Sequence, residues 1–226
     1  MANTLFLRLE GPLQAWGERA RWDIRDTAPE PTKSGVVGLL ACALGLSADA
    51  DLCALSQQIK VGVRCDRPGT PMIDYHTIIG GVMSGEGKIR PGTIVSRRAY
   101  LCDASFLVTI QADPETIDRL ARAIQAPVWP IYLGRKSCPP SCPPFEGVGD
   151  YPGLEAALAD WPWRRPEAES ASIQARAVLE ATPETGVRRR DEIMSRSHRA
   201  FGPRYTRDIA VTVTVLQEDP PCTSPD

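Results

Sequence analysis

Alternating hydrophobic and polar positions predict strands in the first half of the chain. TLFLRL near the amino terminus places three leucines on one face, which is typical of a half-buried strand. IKVGVRCD (59–66) and MIDYHTI (72–78) follow the same two-residue period. TIVSRRAYLCDASFLVTIQ (93–111) predicts two further strands that meet near Asp103. The central part of the chain is therefore expected to consist of hairpins.

Three segments predict helices. SGVVGLLACALGLS (34–47) is apolar almost all round and ends at Gly45, which indicates a buried helix. DADLCALSQQ (49–58) predicts a short helix capped by Asp49. DPETIDRLARAIQ (113–125) is the clearest helix, because an aspartate caps it, a proline takes its first position and apolar residues recur on one side.

The order of these elements predicts an α+β fold. Strand, helix, strand, hairpin, helix and strand follow one another, which is the βαββαβ plan of ferredoxin-like domains and of RNA-recognition modules. Two later strands, SIQARAVLE (172–180) and DIAVTVTVLQ (208–217), flank an arginine-rich segment that we expect to be flexible. We predict a ferredoxin-like domain at residues 1–150 and a small β-rich extension at 151–226, ending in a disordered tail.

Composition excludes several classes of protein. The chain has 226 residues, 42% of them hydrophobic, and a formal charge of −2 that gives no global sign of nucleic acid. The amino-terminal run is broken by Arg8 and Glu10 before a signal peptide forms, and the longest apolar run has 12 residues, too few to span a bilayer. We therefore expect a cytoplasmic protein with no membrane partner, whose seven cysteines are mostly thiols.

The cysteines do not predict a metal site. Cys138 and Cys142 lie four residues apart in PIYLGRKSCPPSCPPF, but tetrahedral zinc needs four ligands and the other cysteines are isolated. We expect no metal and no cofactor.

The two histidines, His76 and His198, lie far apart, and no nucleophile elbow, zinc-protease or Walker motif is present. Metal-independent RNA cleavage needs only a general acid and base, which His198, Tyr205 or Lys136 would supply. A lone histidine beside arginines is more often a phosphate contact or a surface residue.

Three basic clusters are more informative. Residues 188–207 contain seven arginines and two acids, interleaved with aromatic residues, which suits phosphate pairing and base stacking. GKIRPGTIVSRRAY (87–100) forms the second cluster, and GRK (134–136), predicted to lie at the end of a strand, forms the third. A single charge run is commonly a solvated loop, but three runs in a slightly acidic chain favour a polyanion as partner.

Two glycine-containing segments add main-chain candidates. TKSG (32–35) begins a predicted helix, where unpaired amides favour phosphate. GPLQAWG (11–17) allows close backbone approach, and its Trp16 either stacks on a base or fills the core. On the residue alone the core is the favoured interpretation.

Several motifs together resemble a known family. They are LRLEGPLQAWG, PTKSGVVGLLACALG, RRAYLCDASFLVTI, WPIYLGRKSCPPS and RRRDEI followed by RAFGPRYTRDI. From about residue 4 to about residue 215 the chain resembles the Cas-five family of CRISPR-associated proteins, in the form found in type I-E Cascade complexes. The functional part of the cysteine-containing stretch would then be GRK, with the cysteines incidental.

The resemblance implies a non-catalytic RNA-binding subunit. Such proteins have a ferredoxin-like body, a protruding hairpin called the thumb and a small carboxy-terminal β portion. They bind the 5′ tag of the CRISPR RNA (crRNA), cap a backbone of Cas-seven subunits and contact the large subunit that reads the protospacer-adjacent motif, so target DNA is an indirect partner. The thumb corresponds to residues 76–98, with an apolar tip formed by Val82, Met83 and Ile89. The residues implied in RNA binding are Gln14, Trp16, Lys33, Ser34, Arg97, Arg98, Tyr100, Arg135, Lys136, Arg188, Arg189, Arg190 and Arg204.

Two alternatives stay open at this point. In the type I-C subtype the related protein is a metal-independent endoribonuclease that cuts the CRISPR precursor. A protein-only scaffold is the third and weaker interpretation.

Overall fold

The structure is a computed structural model that describes residues 1–18, 24–83, 86–90, 92–165 and 171–217. It is a mixed α+β fold. The helices are α1 (Lys33–Leu44), α2 (Asp49–Gln58), α3 (Pro114–Gln125) and α4 (Leu154–Asp160). The strands are β1 (Thr4–Glu10), β2 (Leu13–Gln14), β3 (Ile24–Arg25), β4 (Lys60–Arg67), β5 (Thr70–Ile78), β6 (Val82–Met83), β7 (Ile89–Arg90), β8 (Ile94–Cys102), β9 (Ser105–Gln111), β10 (Phe145–Gly149), β11 (Trp163–Arg165), β12 (Ser172–Glu180), β13 (Val187–Ser195) and β14 (Ala200–Gln217).

The main sheet is largely antiparallel and runs in the order β10-β1-β9-β4-β12-β14-β11, with β13 paired to β14. Its two faces are covered by different helices, so β1 is buried on both sides. Leu5 packs in the core that contains α1 and α3, whereas Phe6 packs with α4 and the later strands. The simple alternation of TLFLRL therefore describes only one face of this central strand.

Charged side chains are also enclosed under α4. Asp66 accepts from Arg8 at 2.5 Å and from Arg64 at 2.6 Å. The Arg64 guanidinium, fully buried, also donates to the carbonyl oxygens of Leu158 and Trp161. These bonds satisfy the buried charges and join β4 to α4.

The ends of α1 and α3 agree with the sequence patterns. The Thr32 hydroxyl accepts from the Gly35 amide, and Gly45 ends α1 with a φ of 72°. Asp113 caps α3 by accepting from the Thr116 amide at 2.9 Å. The prediction that Asp49 caps α2 is wrong, because the N-cap is Ala48 and Asp49 is the first helical residue.

The Asp49 carboxylate is used in another way. It accepts from the Ser195 and Ser197 hydroxyls, each at 2.6 Å, and from the Arg196 amide at 3.1 Å. These bonds lower the pKa of Asp49 to about 2. They attach the turn between β13 and β14 to the start of α2.

The hairpin expected at 76–98 is present as a long antiparallel ribbon of β5 and β8, and β8 also pairs with β2 and β3 in a four-stranded sheet. β5 and β8 pair from Thr70↔Cys102 to Ile78↔Ile94, and Met83 pairs with Ile89 in the short hairpin of β6 and β7. The side chains of Met83 and Ile89 are 71% and 69% exposed. The side chain of Val82 and residues 84, 85 and 91 lie outside the described part.

Other predictions need correction in the second half. The GRK segment lies in a turn and not at the end of a strand. The proline-rich stretch that follows GRK and ends near Pro166 contains both β10 and α4. These elements are short and flanked by prolines, so no hydrophobic period indicated them in the sequence. The arginine-rich segment predicted to be flexible includes strand β13. Its inward positions include Asp191, which is paired and not apolar, so the usual hydrophobic alternation is missing.

The carboxy-terminal part extends the main sheet, since Val178 of β12 pairs with Val63 of β4. The domain division near residue 150 stays a prediction, and the tail from residue 218 lies outside the described part.

Within the ranges that the structure describes, no individual helix is long and apolar enough to cross a membrane, and α1 and α2 qualify only as a pair bent by 116°. In the described ranges Cys42, Cys53, Cys65, Cys102 and Cys138 are free thiols.

Candidate nucleic-acid interface

A cleft with two lobes crosses the half-exposed face of α1. Each lobe encloses about 720 Å³, within the ~300–1,000 Å³ range of ligand sites. The lobes share a floor and rim formed by Ser34, Gly35, Gly38, Leu52, Gly134 and Arg196. The first, which we call the arginine lobe, is also lined by Trp16, Arg190, Arg199 and Phe201. The second, the aromatic lobe, is also lined by Cys42, Trp129, Pro130, Tyr132 and Lys136.

Small residues at helical spacing open this floor. Ser34, Gly38 and Cys42 recur every four residues on one face of α1. A Cβ atom added to Gly38 would meet nothing within 4 Å, so the helix backbone is directly accessible there. A Cβ atom on Gly35 would lie 2.8 Å from the Trp16 ring, which packs against that glycine. The floor is thus open at Gly38 and supported from behind at Gly35.

Gly134 fixes the opposite rim. Its φ is 87°, and an added Cβ atom would lie 1.7 Å from the carbonyl oxygen of Ala15. The Ala15 amide donates to the Leu133 carbonyl at 3.1 Å, so the two loops are joined. This position requires glycine, and it presents Arg135 and Lys136 next to the cleft.

Arg199 lines the arginine lobe and interacts electrostatically with Arg25, as do Arg98 and Arg135, and we call these four residues the arginine cluster. Burial and the like charges of the other three lower the pKa of Arg25. Arg25 and Arg98 are register neighbours in the parallel pairing of β3 and β8. Since guanidinium groups keep their charge at neutral pH, the cluster concentrates positive potential at the arginine lobe.

Arg135 is held rigidly within this cluster. Its guanidinium donates to the carbonyl oxygens of Ala99 at 2.8 Å and Arg25 at 3.0 Å. It also lies 4.4 Å above the centre of the Tyr100 ring. Tyr100 is buried and therefore supports the cation from below.

The structure brings some of the sequence-predicted residues together and separates others. Those that line the cleft are Trp16, Ser34, Lys136 and Arg190, and those in or under the arginine cluster are Arg98, Tyr100 and Arg135. Arg97 and Arg188 are exposed, and neither belongs to the cleft lining in the part of the chain that the structure describes.

Gln14 and Trp16 are engaged internally. The fully buried Gln14 amide donates to the carbonyl oxygens of Leu9 and Ala104, at 3.0 and 2.8 Å. Its oxygen accepts from the Trp16 indole at 3.1 Å, and Trp16 is only 1% exposed. Both side chains therefore build the wall of the cleft from behind, and the core interpretation of Trp16 fits its burial.

Lys33 and Arg204 are buried, and each forms ion pairs with carboxylates of the protein. The Lys33 ammonium lies 3.1 Å from Glu180 and 3.0 Å from Glu192. Arg204 makes two hydrogen bonds to Asp191, at 2.9 and 2.7 Å. Asp191 also accepts from the Lys33 amide at 2.9 Å, so a protein carboxylate occupies the amide that TKSG was expected to offer to phosphate.

Arg189 is likewise committed, to Glu18 at 2.7 Å and to the buried Glu30. Its guanidinium donors are thus occupied by protein carboxylates, which does not support its predicted role in RNA binding. Because Glu18 is paired in this way, the carboxylate at the cleft rim is neutralised.

Several cleft residues were missed by the sequence patterns. These are Trp129, Tyr132, Arg196, Arg199 and Phe201, and Arg25 of the arginine cluster was missed as well. Arg196 and Arg199 lie inside the basic window that the sequence did identify, and Trp129 and Tyr132 lie inside a quoted motif. No residue pattern indicates that these segments converge on α1.

The chain matches the family described as CRISPR-associated protein (Cas_Cas5) over residues 4–207. It belongs to this Cas-five family. It is 38% identical over 174 residues to the CRISPR system Cascade subunit CasD of Escherichia coli (strain K12), an alignment covering 71% of this chain and 78% of that protein.

Two solved structures share the Cas-five fold. A chain of a CRISPR RNA-guided surveillance complex aligns with a TM-score of 0.76 and 34% identity, covering 94% of this chain and 92% of that chain. A crystal structure of a Cas protein aligns with a TM-score of 0.72 and 37% identity, covering 96% and 100%. The cleft and the arginine cluster are therefore features of a Cas-five protein.

Proposed function

We propose that this Cas-five protein is a non-catalytic crRNA-binding subunit of a type I-E Cascade surveillance complex. In this role it holds the 5′ tag of the RNA, caps the Cas-seven backbone and contacts the large subunit, so that target DNA is an indirect partner. The similarity to CasD and to a chain of an RNA-guided surveillance complex supports the assignment.

The arginine cluster beside the cleft is the observation that carries the proposal. The guanidinium groups of the cluster repel one another in the free protein, and phosphates bound among them would offset this repulsion. The cleft supplies further cations at Lys136, Arg190 and Arg196, whereas its carboxylate Glu18 is paired with Arg189. A bent single strand fits this arrangement, because its phosphates provide affinity while its bases remain available for reading.

We infer that the body is ferredoxin-like. β1, α1, β4, β9, α3 and β10 follow the βαββαβ order. Their four strands lie side by side as β10-β1-β9-β4, with the first and third strands in the centre. The ribbon of β5 to β8 then projects as the thumb, whose exposed Met83 and Ile89 offer an apolar surface to a neighbouring backbone subunit.

The histidine geometry supports a role without catalysis. The His198 ring lies within 3.2 Å of the Ser195 and Ser197 hydroxyls, which also bond to Asp49. Among the described residues His198 is not part of the cleft lining. The similarity to CasD does not favour the type I-C nuclease alternative.

Two measurements test the proposal. In the assembled complex, Arg25→Gln and Arg98→Gln should each lower the slope of log affinity against log salt by about 0.7, the value for one contact on single-stranded RNA. Arg119→Gln, an exposed arginine on α3, is the matched control and should leave the slope unchanged. If both cluster variants behave like this control, the RNA does not bind at the cluster.

The second measurement tests catalysis. The purified protein is incubated with repeat RNA in EDTA, and intact RNA is expected. Specific cleavage that is lost in a His198→Ala variant would refute the non-catalytic assignment.

A further inference from the structure

We propose that the aromatic lobe holds one unstacked nucleobase of the bound RNA, with Trp129 as its stacking partner. This inference rests on the proposed function and specifies where the cleft reads a base. The arginine lobe and its cluster would then hold the adjoining phosphates.

Trp129 is exposed although its backbone is fixed. Its side chain is 41% exposed, the largest value among the tryptophans that the structure describes. Its amide donates to the Cys42 carbonyl at 3.1 Å, and the Val128 amide donates to Ala43 at 3.0 Å. Val128 packs on Gly45, where an added Cβ atom would lie 3.0 Å away. The last turn of α1 therefore holds the indole at the cleft wall, so its exposure does not come from a loose loop.

The rest of the lobe suits a planar aromatic ligand. Tyr132 and Cys42 line the same lobe, and burial raises the pKa of this tyrosine, so its phenol remains neutral. The floor at Gly38 carries no side chain, which leaves space next to the helix backbone. Lys136 and Arg196 line the same lobe and provide cations for the phosphates that flank an inserted base. Aromatic faces bind bases of any sequence, because every base has a π-face.

Trp16, which the family resemblance implies in RNA binding, is unsuitable as a stacking partner. It is almost completely buried, its ring packs on Gly35 and its indole N–H is used by Gln14. Stacking on it would require the wall of the cleft to open. The exposed indole of Trp129 needs no such change.

The test combines protein and RNA variants in the assembled complex. A set of RNAs carries an abasic site at each position of the 5′ tag in turn, and dissociation constants are measured with the native chain, Trp129→Ala and Trp129→Phe. With the native chain, one abasic position should weaken binding by about 5- to 150-fold, the range for loss of one stacked base. Trp129→Ala should weaken the intact RNA to a similar extent and make that position insensitive to base removal. Trp129→Phe should retain most of the affinity.

A fluorescence measurement gives a readout independent of affinity. 2-Aminopurine at the sensitive position should be quenched in the native complex and should recover its emission with Trp129→Ala. The salt slope should be the same in both complexes, because no phosphate contact is removed.

The failures of the two proposals are distinguishable. The proposed base site is overturned if Trp129→Ala and the native chain bind every abasic RNA with the same dissociation constants, while the native complex keeps its normal salt slope. If the native complex shows no salt-dependent RNA binding through the cluster, the proposed function itself fails. Thermal unfolding of Trp129→Ala should match that of the native protein, which excludes an effect through misfolding.

Discussion

Asp191→Ala should destabilise the fold strongly, because this carboxylate joins three parts of the cleft. It lies on β13, is 1% exposed, and binds the Arg204 guanidinium of β14 and the first amide of α1 at Lys33. Removing it leaves Arg204, which is 8% exposed, as a buried cation without its bidentate partner.

The size of the effect follows from this burial. Breaking a buried pair by removing one partner costs about 3–5 kcal/mol, since the remaining charge stays desolvated. For a domain of this size each kcal/mol lowers the melting temperature by about 2–4 °C, which gives a loss of about 6–20 °C. Replacing both partners, as in Asp191→Leu with Arg204→Met, removes the stranded charge. The double replacement should recover the part of the stability loss that comes from this charge, and about 1–3 kcal/mol should remain because the Lys33 amide is left unsatisfied.

Denaturant and thermal unfolding of the purified protein measure these values. Glu155→Ala is the matched control, because it breaks an ion pair with Arg207 at a similar distance of 2.7 Å while both side chains are about half exposed. This control should change the free energy of unfolding by less than about 1 kcal/mol. If Asp191→Ala costs no more than Glu155→Ala, or if the double replacement costs the sum of its single replacements, then Asp191 does not stabilise the fold through a buried ion pair.

Four further outcomes are expected. Gly38→Leu fills open space above α1, so RNA retention in the assembled complex should fall while the melting temperature is kept or raised; unchanged retention would exclude this part of the cleft. Gly134→Ala should lower stability by at least about 1–3 kcal/mol in denaturant unfolding, because φ is 87° and the added atom meets a carbonyl oxygen at 1.7 Å. Cys138 is buried and burial raises its pKa, so peptide mapping of alkylated protein should find it modified after the partly exposed Cys102. Burial raises the pKa of Asp191, but its bonds to Arg204 and to the Lys33 amide outweigh burial and hold the pKa of the folded protein below 3.8. The stability that this carboxylate provides is therefore present above about pH 4 and is lost as the pH falls through its pKa in the folded protein. Asp191→Asn should make the melting temperature less dependent on pH in that range.

Local patterns were sufficient where an element satisfies its own chemistry. α3 could be predicted with its cap and its buried stripe, because Asp113, Pro114 and the apolar spacing all act within one segment. The turn at Asp103 and the end of α1 at Gly45 follow from chain-local signals in the same way. The family motifs also come from the chain itself, and the comparison with the Cas-five family confirmed that assignment.

The functions of individual charged residues could not be predicted in this way. Lys33 lies in the helix-start segment TKSG and Arg190 in the basic cluster at 188–207, and both were implied in RNA binding. Lys33 is neutralised by Glu180 and Glu192, whereas Arg190 lines the cleft. The carboxylates that separate the two cases lie more than a hundred residues from Lys33 in the chain. A basic residue in a sequence shows that a charge exists, but not which partner neutralises it.

The elements with local caps, the family and the excess positive charge of a few segments can be predicted from the order of residues. Folding then establishes which of these charges meet carboxylates inside the protein and which face the cleft over α1. It also establishes that Trp16 is enclosed while Trp129 is open. The physical reason is that charge neutralisation and burial depend on distances between segments remote in sequence, and these distances are fixed only when the sheet and its helices pack.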